Sequence, residues 1–316
     1  MKGYREHLIF SGSTIKDALI QLTNLGIDAI LFVVEENDKL IGSITDGDVR
    51  RGLVKGISLN QSINIIIRFS PRYIKKGERD IQKLIEYREG NFGIIPIVDN
   101  TNKIVNVINF RLIRSYLPVD AVLMAGGRGN RLIPLTDKTP KPLLKVGNKP
   151  VIEHNLDRLT LFGIDDIWIS VNYLGDQIQN FQHDYVLISN SDLLTNLDYE
   201  HFFLEFLKQD ADMGVVTIPY QVSIPYAVLE TNNGNIINFK EKPTYTYYSN
   251  GGIYLVKRSV LSRIPKDKFF NATDLLEVLI LEGKKVFSYP LLGYWLDIGC
   301  HEDFEKAQRD IKNIKF

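Results

Sequence analysis

Apolar and polar positions fall into two regimes along the 316-residue chain. In the first third, short apolar runs alternate with polar turns, and one unit occurs twice. Val33-Val34-Glu35-Glu36-Asn37-Asp38-Lys39-Leu40-Ile41 reappears 64 residues later as Ile97-Val98-Asp99-Asn100-Thr101-Asn102-Lys103-Ile104-Val105. Each copy predicts a strand, a turn and a second strand. Ahead of each lies a helical pattern: 14–25, with Ile15, Ala18, Leu19 and Leu22 on one face, and 79–88, with Ile81, Leu84 and Ile85. Two equivalent units that cannot bury their faces alone are expected to pack on each other. From Ala121 onward the pattern alternates strands with helices. Pro150 opens a helix with Ile152, Leu156 and Leu159 on one face, and Gly163 ends it; 167–171 and 185–189 read as strands. Phe304, Ala307, Ile311 and Ile314 mark a last amphipathic helix, a core or interface stripe. This order predicts an α/β domain with a mostly parallel sheet, whose ligands gather beyond the carboxyl ends of the strands. Pro118, just before a strand, puts the boundary near residue 117. The expected domains are 1–117, holding copies of about 1–58 and 59–117, and 118–316.

Composition narrows the partners. Lys plus Arg (38) balances Asp plus Glu (38), so no net field recruits nucleic acid or an anionic membrane. Cys300 is the single cysteine, which excludes an internal disulfide and a thiolate metal site and fits a reducing compartment. The first residues lack a signal-peptide core, and no run approaches the roughly 20 apolar residues of a membrane span. A soluble cytoplasmic protein is expected. The five histidines take no role: His154 sits inside a helix, and the others lack acid or Cys partners at ligand spacing.

The chemistry concentrates between Met124 and Lys145. A buried apolar run, 121–124, empties into a loop whose Gly126, Gly127 and Gly129 let backbone N–H groups close around phosphate oxygens. Arg131 and Lys141 add fixed positive charge, one a planar fork and the other a mobile point. Strand, glycine loop and two cations describe a nucleoside triphosphate site. Arg131 and Pro134 stand where a P-loop or a dinucleotide fingerprint needs other residues. The continuation Thr139-Pro140-Lys141-Pro142 makes the stretch resemble the signature of the sugar-1-phosphate nucleotidylyltransferases, Gly-x-Gly-Thr-Arg-Leu followed by Pro-Lys-Pro, with Asn130 where that family has Thr.

That resemblance implies a Rossmann-like nucleotidyltransferase domain and a set of roles. Leu123, Ala125, Gly126, Gly127, Gly129 and Asn130 would hold the nucleotide, and Arg131 and Lys141 would be catalytic. Asp192, ending Val186-Leu187-Ile188-Ser189-Asn190-Ser191-Asp192, and Asp297, in Tyr294-Trp295-Leu296-Asp297-Ile298-Gly299, resemble the family's metal-binding pair, which suits Mg²⁺. Glu241 and Lys242 match its Glu-Lys-Pro motif, where the acid meets sugar hydroxyls and the lysine the sugar phosphate. Asn250 and Gly252 match its Asn-x-Gly-[IV]-Tyr. Ala227, in Pro225-Tyr226-Ala227, departs from the family's Pro-Tyr-Gly and leaves the hexose open. The run from Glu241 to Tyr247, together with fusion of paired cystathionine-β-synthase (CBS) domains to this enzyme class, resembles bacterial guanylyltransferases acting on glucosamine-1-phosphate or mannose-1-phosphate in surface-glycan synthesis, which favours GTP. Uridylyl or thymidylyl transfer, and a catalytically idle nucleotide sensor, are the alternatives.

The repeated first third looks like a pair of cystathionine-β-synthase (CBS) domains, modules that bind adenine nucleotides between copies. Thr45 and Asp48, in Thr45-Asp46-Gly47-Asp48, resemble that family's Thr-Asp-x-Asp element; they either face a ribose or cap a helix starting near Val49. The second copy reads Asn109-Phe110-Arg111-Leu112 there and has lost the acids. Paired CBS modules self-associate, so a homo-oligomer is expected. One further departure stands in the transferase part. The family carries an extra strand and helix, with a Leu-Gly-Thr-Ala-Gly-like element on the nucleobase, between the segment resembling Asn172-Tyr173-Leu174-Gly175-Asp176 and the metal-aspartate strand. Here only 172–184 remain, close to the ~10–12 residue minimum for a parallel crossover. Either the domain is truncated or a stretch is absent from the sequence; the second is favoured, with a chain break expected between Asn180 and Asp184.

Overall fold

The computed structural model describes residues 3–77, 80–127, 129–171, 181–265, 268 and 270–314. They form two compact units, Met1–Pro118 and Val119–Phe316.

The first unit repeats one pattern. Strand β1 (Leu8–Phe10) passes through helix α1 (Ile15–Leu25) to β2 (Ile30–Val34), which pairs parallel with β1 and antiparallel with β3 (Leu40–Thr45); helix α2 (Asp46–Val54) and β4 (Arg68–Phe69) complete the sheet. The second copy runs β5 (Ile74–Lys75), α3 (Ile81–Glu89), β6 (Ile94–Val98) and β7 (Ile104–Asn109), with the same parallel and antiparallel pairs. The apolar face of α1, Ile15, Ala18, Leu22 and Leu25, buries against Leu31, Val33 and Ile44 of its sheet. The opposite face of that sheet supplies Phe32 and Val34, which pack with Ile94, Val98 and Ile104 of the second copy. The period-2 alternation of a strand thus serves two cores, one within a copy and one between copies. Asn109 and Arg111 fasten the copies by hydrogen bonds to Asp28, at 3.0 and 2.8 Å.

Helix α2 starts at Asp46, earlier than the expected start near Val49. Thr45 is its N-cap: the hydroxyl accepts from the Asp48 N–H, and the Asp48 carboxylate accepts from the Thr45 N–H (2.9 Å) and hydroxyl (2.6 Å), a reciprocal box that fixes the first turn. The other Asp48 oxygen takes Arg51 Nη2 at 2.7 Å and Arg68 Nε at 2.5 Å. Thr45 and Asp48 therefore cap the helix and tie it to β4. Burial raises the carboxyl's pKa, but the hydrogen bonds from Thr45, Arg51 and Arg68 outweigh it and the net shift is downward. An acid with a depressed folded pKa stabilises above its unfolded value, near 3.9, and loses that contribution as pH falls through the folded value. Asp48→Ala is expected to cost about 2 kcal/mol at pH 7, from a lost cap and lost charge-assisted bonds. The gap to the unsubstituted protein should close below pH 4 in urea unfolding.

In the second unit, β8 (Val119–Met124) leads through β9 (Lys145–Val146), β10 (Lys149–Pro150) and helix α4 (Val151–Leu161) to β11 (Ile167–Ser170). Then come β12 (Tyr185–Asn190), β13 (Leu193–Thr195), helix α5 (Tyr199–Lys208), β14 (Met213–Ser223), the hairpin of β15 (Val228–Asn232) and β16 (Asn235–Lys240), and β17 (Thr244–Lys257). Helix α6 (Ala272–Leu281), β18 (Val286–Pro290), β19 (Trp295–Asp297) and helix α7 (His301–Asp310) follow. The central sheet has the order β11-β8-β12-β17-β14-β18. Its pairs are parallel except those of β17, which runs against both neighbours. This is the expected α/β fold with a mostly parallel sheet. Phe304 and Ile311 pack against the cluster of Leu132, Val151, Leu296 and Ala307, so the last amphipathic stripe is core. The expected shortened crossover, 172–180, lies outside the described residues, and with it one side of the expected break. From Phe181 the chain leads into β12, the N–H groups of Gln182 and His183 donating to the buried Asp120 carboxylate.

Candidate active site

The two acids expected to share a metal start far apart in sequence, and a small antiparallel pair brings them together. Strand β13 follows Asp192 directly and β19 ends in Asp297; Leu193 pairs with Asp297, and the Ile298 N–H donates to the Asp192 carbonyl at 3.1 Å. Lys141 reaches this point from the first turn after Pro140. Its Nζ lies 2.5 Å from Asp192 Oδ2 and 3.7 Å from Asp297 Oδ1, with 16% of the side chain exposed. One ammonium thus bridges two carboxylates.

Burial first, and the neighbouring Asp192 charge second, push the Asp297 carboxyl above the usual range, against the pull of Lys141. Asp192 Oδ1 and Asp297 Oδ1 are both buried, with no hydrogen-bond partner among the described residues. Orphaned buried carboxylate oxygens are costly unless a cation or donor meets them. An all-oxygen pair of this kind fits a hard divalent ion that keeps its other positions for water and phosphate.

Above this cluster lies a 250 Å³ recess lined by Gly126, Gly127, Gly129, Asn130, Arg131, Lys141, Asp192 and Gly299. Gly129 sits at φ 63° as the N-cap of a short 3₁₀ turn, and a Cβ there would meet Thr136 Cγ2 at 2.9 Å. Gly127 has φ 121° and open space where a side chain would stand. Both positions favour glycine, and both leave backbone facing the recess. Two of the residues expected to bind nucleotide, Leu123 and Ala125, stand in or beside the strand that leads into the loop. The Ala125 N–H donates to the Ser170 carbonyl at 2.8 Å, and Leu123 is buried in the sheet between Ile169 and Ser189. They shape the strand that presents the loop.

A larger cavity of 660 Å³ adjoins the recess, sharing Gly126, Gly127 and Asp192, and continues past Asp297, Asn190, Asn250, Gly252, Trp295 and the start of α6. Asn250 and Gly252 are therefore brought to the acids. Glu241 and Lys242 are not: they are exposed on the turn between β16 and β17, and neither lines either cavity. Sequence reasoning passed over Asn190, Trp295 and the α6 start, because an amide, an indole and a helix end carry no motif of their own.

It also passed over a second cluster. Asp120, Asp166 and His183 each offer a ligand atom within 4.8 Å of the others. The expectation that the histidines lack acid partners is corrected for His183, whose Nε2 lies 3.5 Å from Asp166 Oδ2. Parallel neighbours in the sheet bring together residues that spacing along the chain separates.

The nucleotidyl transferase family model matches residues 120–180 and 172–314, and the CBS domain model matches 7–55. A glucose-1-phosphate adenylyltransferase of Bacillus thuringiensis is 25% identical over 252 residues, covering 60% of this chain and 67% of that protein. A D-glycero-alpha-D-manno-heptose 1-phosphate guanylyltransferase of Aneurinibacillus thermoaerophilus is 24% identical over 229 residues, covering 62% of this chain and 99% of that protein. Among solved structures, HddC from Yersinia pseudotuberculosis is 22% identical with a TM-score of 0.43, covering 61% of this chain and 99% of its own. With its family model spanning most of the chain, and a glycine loop meeting at one recess a lysine that bridges Asp192 and Asp297, the protein belongs to the nucleotidyl transferase family and is an enzyme of that class.

Proposed function

We propose that the protein joins a nucleoside triphosphate, GTP in first place, to a hexose-1-phosphate, glucosamine-1-phosphate or mannose-1-phosphate, giving a nucleoside-diphosphate sugar and pyrophosphate. The observation that carries this reading is Lys141 bridging Asp192 and Asp297 beside the glycine loop. A phosphate oxygen of the sugar phosphate attacks the α-phosphorus in line, the bond to the β-phosphate breaks, and pyrophosphate leaves. Positioning and charge neutralisation dominate such chemistry. Gly126, Gly127, Gly129 and Asn130 cradle the triphosphate, Arg131 grips the departing phosphates, and Lys141 steadies the charge that builds at the reacting phosphorus. Asp192 and Asp297 would hold Mg²⁺, which supplies neutralisation of phosphate charge when bound. Asn250 and Gly252 receive the hexose. Glu241 and Lys242, the sugar-phosphate ligands that the family resemblance implies, line neither cavity in this structure.

Support for guanine comes from the resemblance of the Glu241–Tyr247 run and from the guanylyltransferase among the relatives. In the first unit, an adenine nucleotide at the CBS pair would meet Thr45 and Asp48, whose bonds to each other and to Arg68 hold the start of α2. Self-association through that pair belongs to the same proposal.

Pyrophosphate release with GTP, ATP, UTP, dTTP and CTP, each against several hexose-1-phosphates, tests the reading. Release with GTP and one of the two named sugars is expected. Preference for another base would overturn the guanine assignment, and no release from any pair would overturn nucleotidyl transfer to sugars.

A further inference from the structure

The floor of the larger cavity is an irregularity in β17. Val215 of β14 pairs with Tyr254, but Thr217, two residues on, pairs with Asn250, four residues back. Two extra residues, Gly251 and Gly252, are therefore looped out of the ladder. Neither can carry a side chain to brace the bulge. A Cβ on Gly251 would lie 2.8 Å from the Val216 carbonyl oxygen; Gly252 has φ 71°, and its Cβ would lie 2.6 Å from Asn190 Nδ2. Asn250 closes the bulge from within, its Oδ1 accepting from the Gly252 N–H at 2.9 Å while its Nδ2 donates to the Tyr254 hydroxyl at 2.7 Å. These bonds set the shape of the bulge. They do not set its distance from the acids.

Trp295 does. Its indole Nε1 donates to the Gly251 carbonyl at 2.8 Å, across from β19 to the bulge of β17. Trp295 and Asp297 are two apart on a strand, so both side chains stand on one face, and both line the cavity. An indole has only two side-chain torsions and holds a contact with little loss of freedom. We propose that Trp295 is the positioning residue that fixes the hexose-facing bulge relative to the Asp297 carboxylate, and so sets where the sugar phosphate sits against the reacting phosphorus. This rests on the reading that the cavity takes a sugar phosphate.

Trp295→Phe keeps a ring and removes the donor. It is expected to raise KM for the hexose-1-phosphate fivefold to tenfold, about 1–1.4 kcal/mol, the size of one hydrogen bond. KM for the triphosphate should stay within twofold. A general structural role would move both constants together or neither, and either result would overturn the proposal. A binding readout covers the case of a poorly folded variant. The chain has two tryptophans; Trp168→Phe leaves Trp295 as the single indole N–H in a ¹⁵N spectrum. That resonance should shift when mannose-1-phosphate or glucosamine-1-phosphate, whichever supports turnover, is added together with a non-hydrolysable analogue of the triphosphate that supports it. An unmoved resonance at saturation would sink the inference. If the unsubstituted enzyme releases no pyrophosphate from any pair, the functional reading fails instead, and the two failures are told apart.

Discussion

Lys141→Ala is expected to lower the rate of pyrophosphate release by about 10²–10³-fold, the range found when one preorganised charge is taken from a transition state. The same substitution should destabilise the protein, because Lys141 is mostly buried and is the counter-charge of two carboxylates. Removing one partner from such a cluster leaves uncompensated charge, here about 2 kcal/mol, less than a fully buried pair would lose. Arg131→Ala provides the contrast. Arg131 is exposed in the recess, so its loss should reduce turnover with little change in thermal midpoint. Divalent metal separates the two further. Any ion that binds the folded acids stabilises by mass action, so Mg²⁺ should raise the midpoint of the Lys141 variant more than that of the unsubstituted enzyme. Equal midpoints for all three proteins in EDTA would mean that Lys141 does not neutralise the acids in solution.

The legible parts of this molecule are those written in local patterns. The 64-residue repeat emerged as two βαββ units because each copy has its own alternation and its own helix face. The start of α2 was misplaced, since the capping box of Thr45 and Asp48 begins the helix before its first apolar residue does. The glycine loop, Arg131, Lys141, Asp192 and Asp297 could be named because each sits in a short run with a recognisable neighbour. Their convergence was expected from the family resemblance and not from the residues themselves, since it depends on the pairing of β13 with β19, two three-residue strands roughly a hundred residues apart. Ala125 was named for the nucleotide by resemblance, and the bond its N–H makes to the Ser170 carbonyl is a sheet contact that no local pattern shows. Trp295 went unseen for the converse reason: its value lies in one hydrogen bond to a carbonyl in another strand.

Asp297→Asn is expected to abolish activity while raising stability. The carboxylate supplies an oxygen with no hydrogen-bond partner among the described residues, facing Asp192 over a shared ammonium. Asparagine keeps the shape but not the charge, so a divalent ion would lose one of two anionic ligands, and a fall of at least ~10²-fold follows from the weight of charge neutralisation in this chemistry. For folding the same charge is a burden, because burial and Asp192 raise the folded pKa of Asp297. A raised acid pKa means the ionised form is disfavoured on folding. The penalty is full above the folded value and vanishes below the unfolded one. With 43% of the side chain exposed, solvent screens much of it, and the gain in Asp297→Asn should be no more than about 1 kcal/mol. Metal-free thermal unfolding should therefore show the variant melting higher at pH 7, with the difference shrinking as pH falls toward 4. A variant that melts lower at neutral pH would show that Lys141 more than compensates both carboxylates, and that the site stores no strain for metal and substrate to relieve.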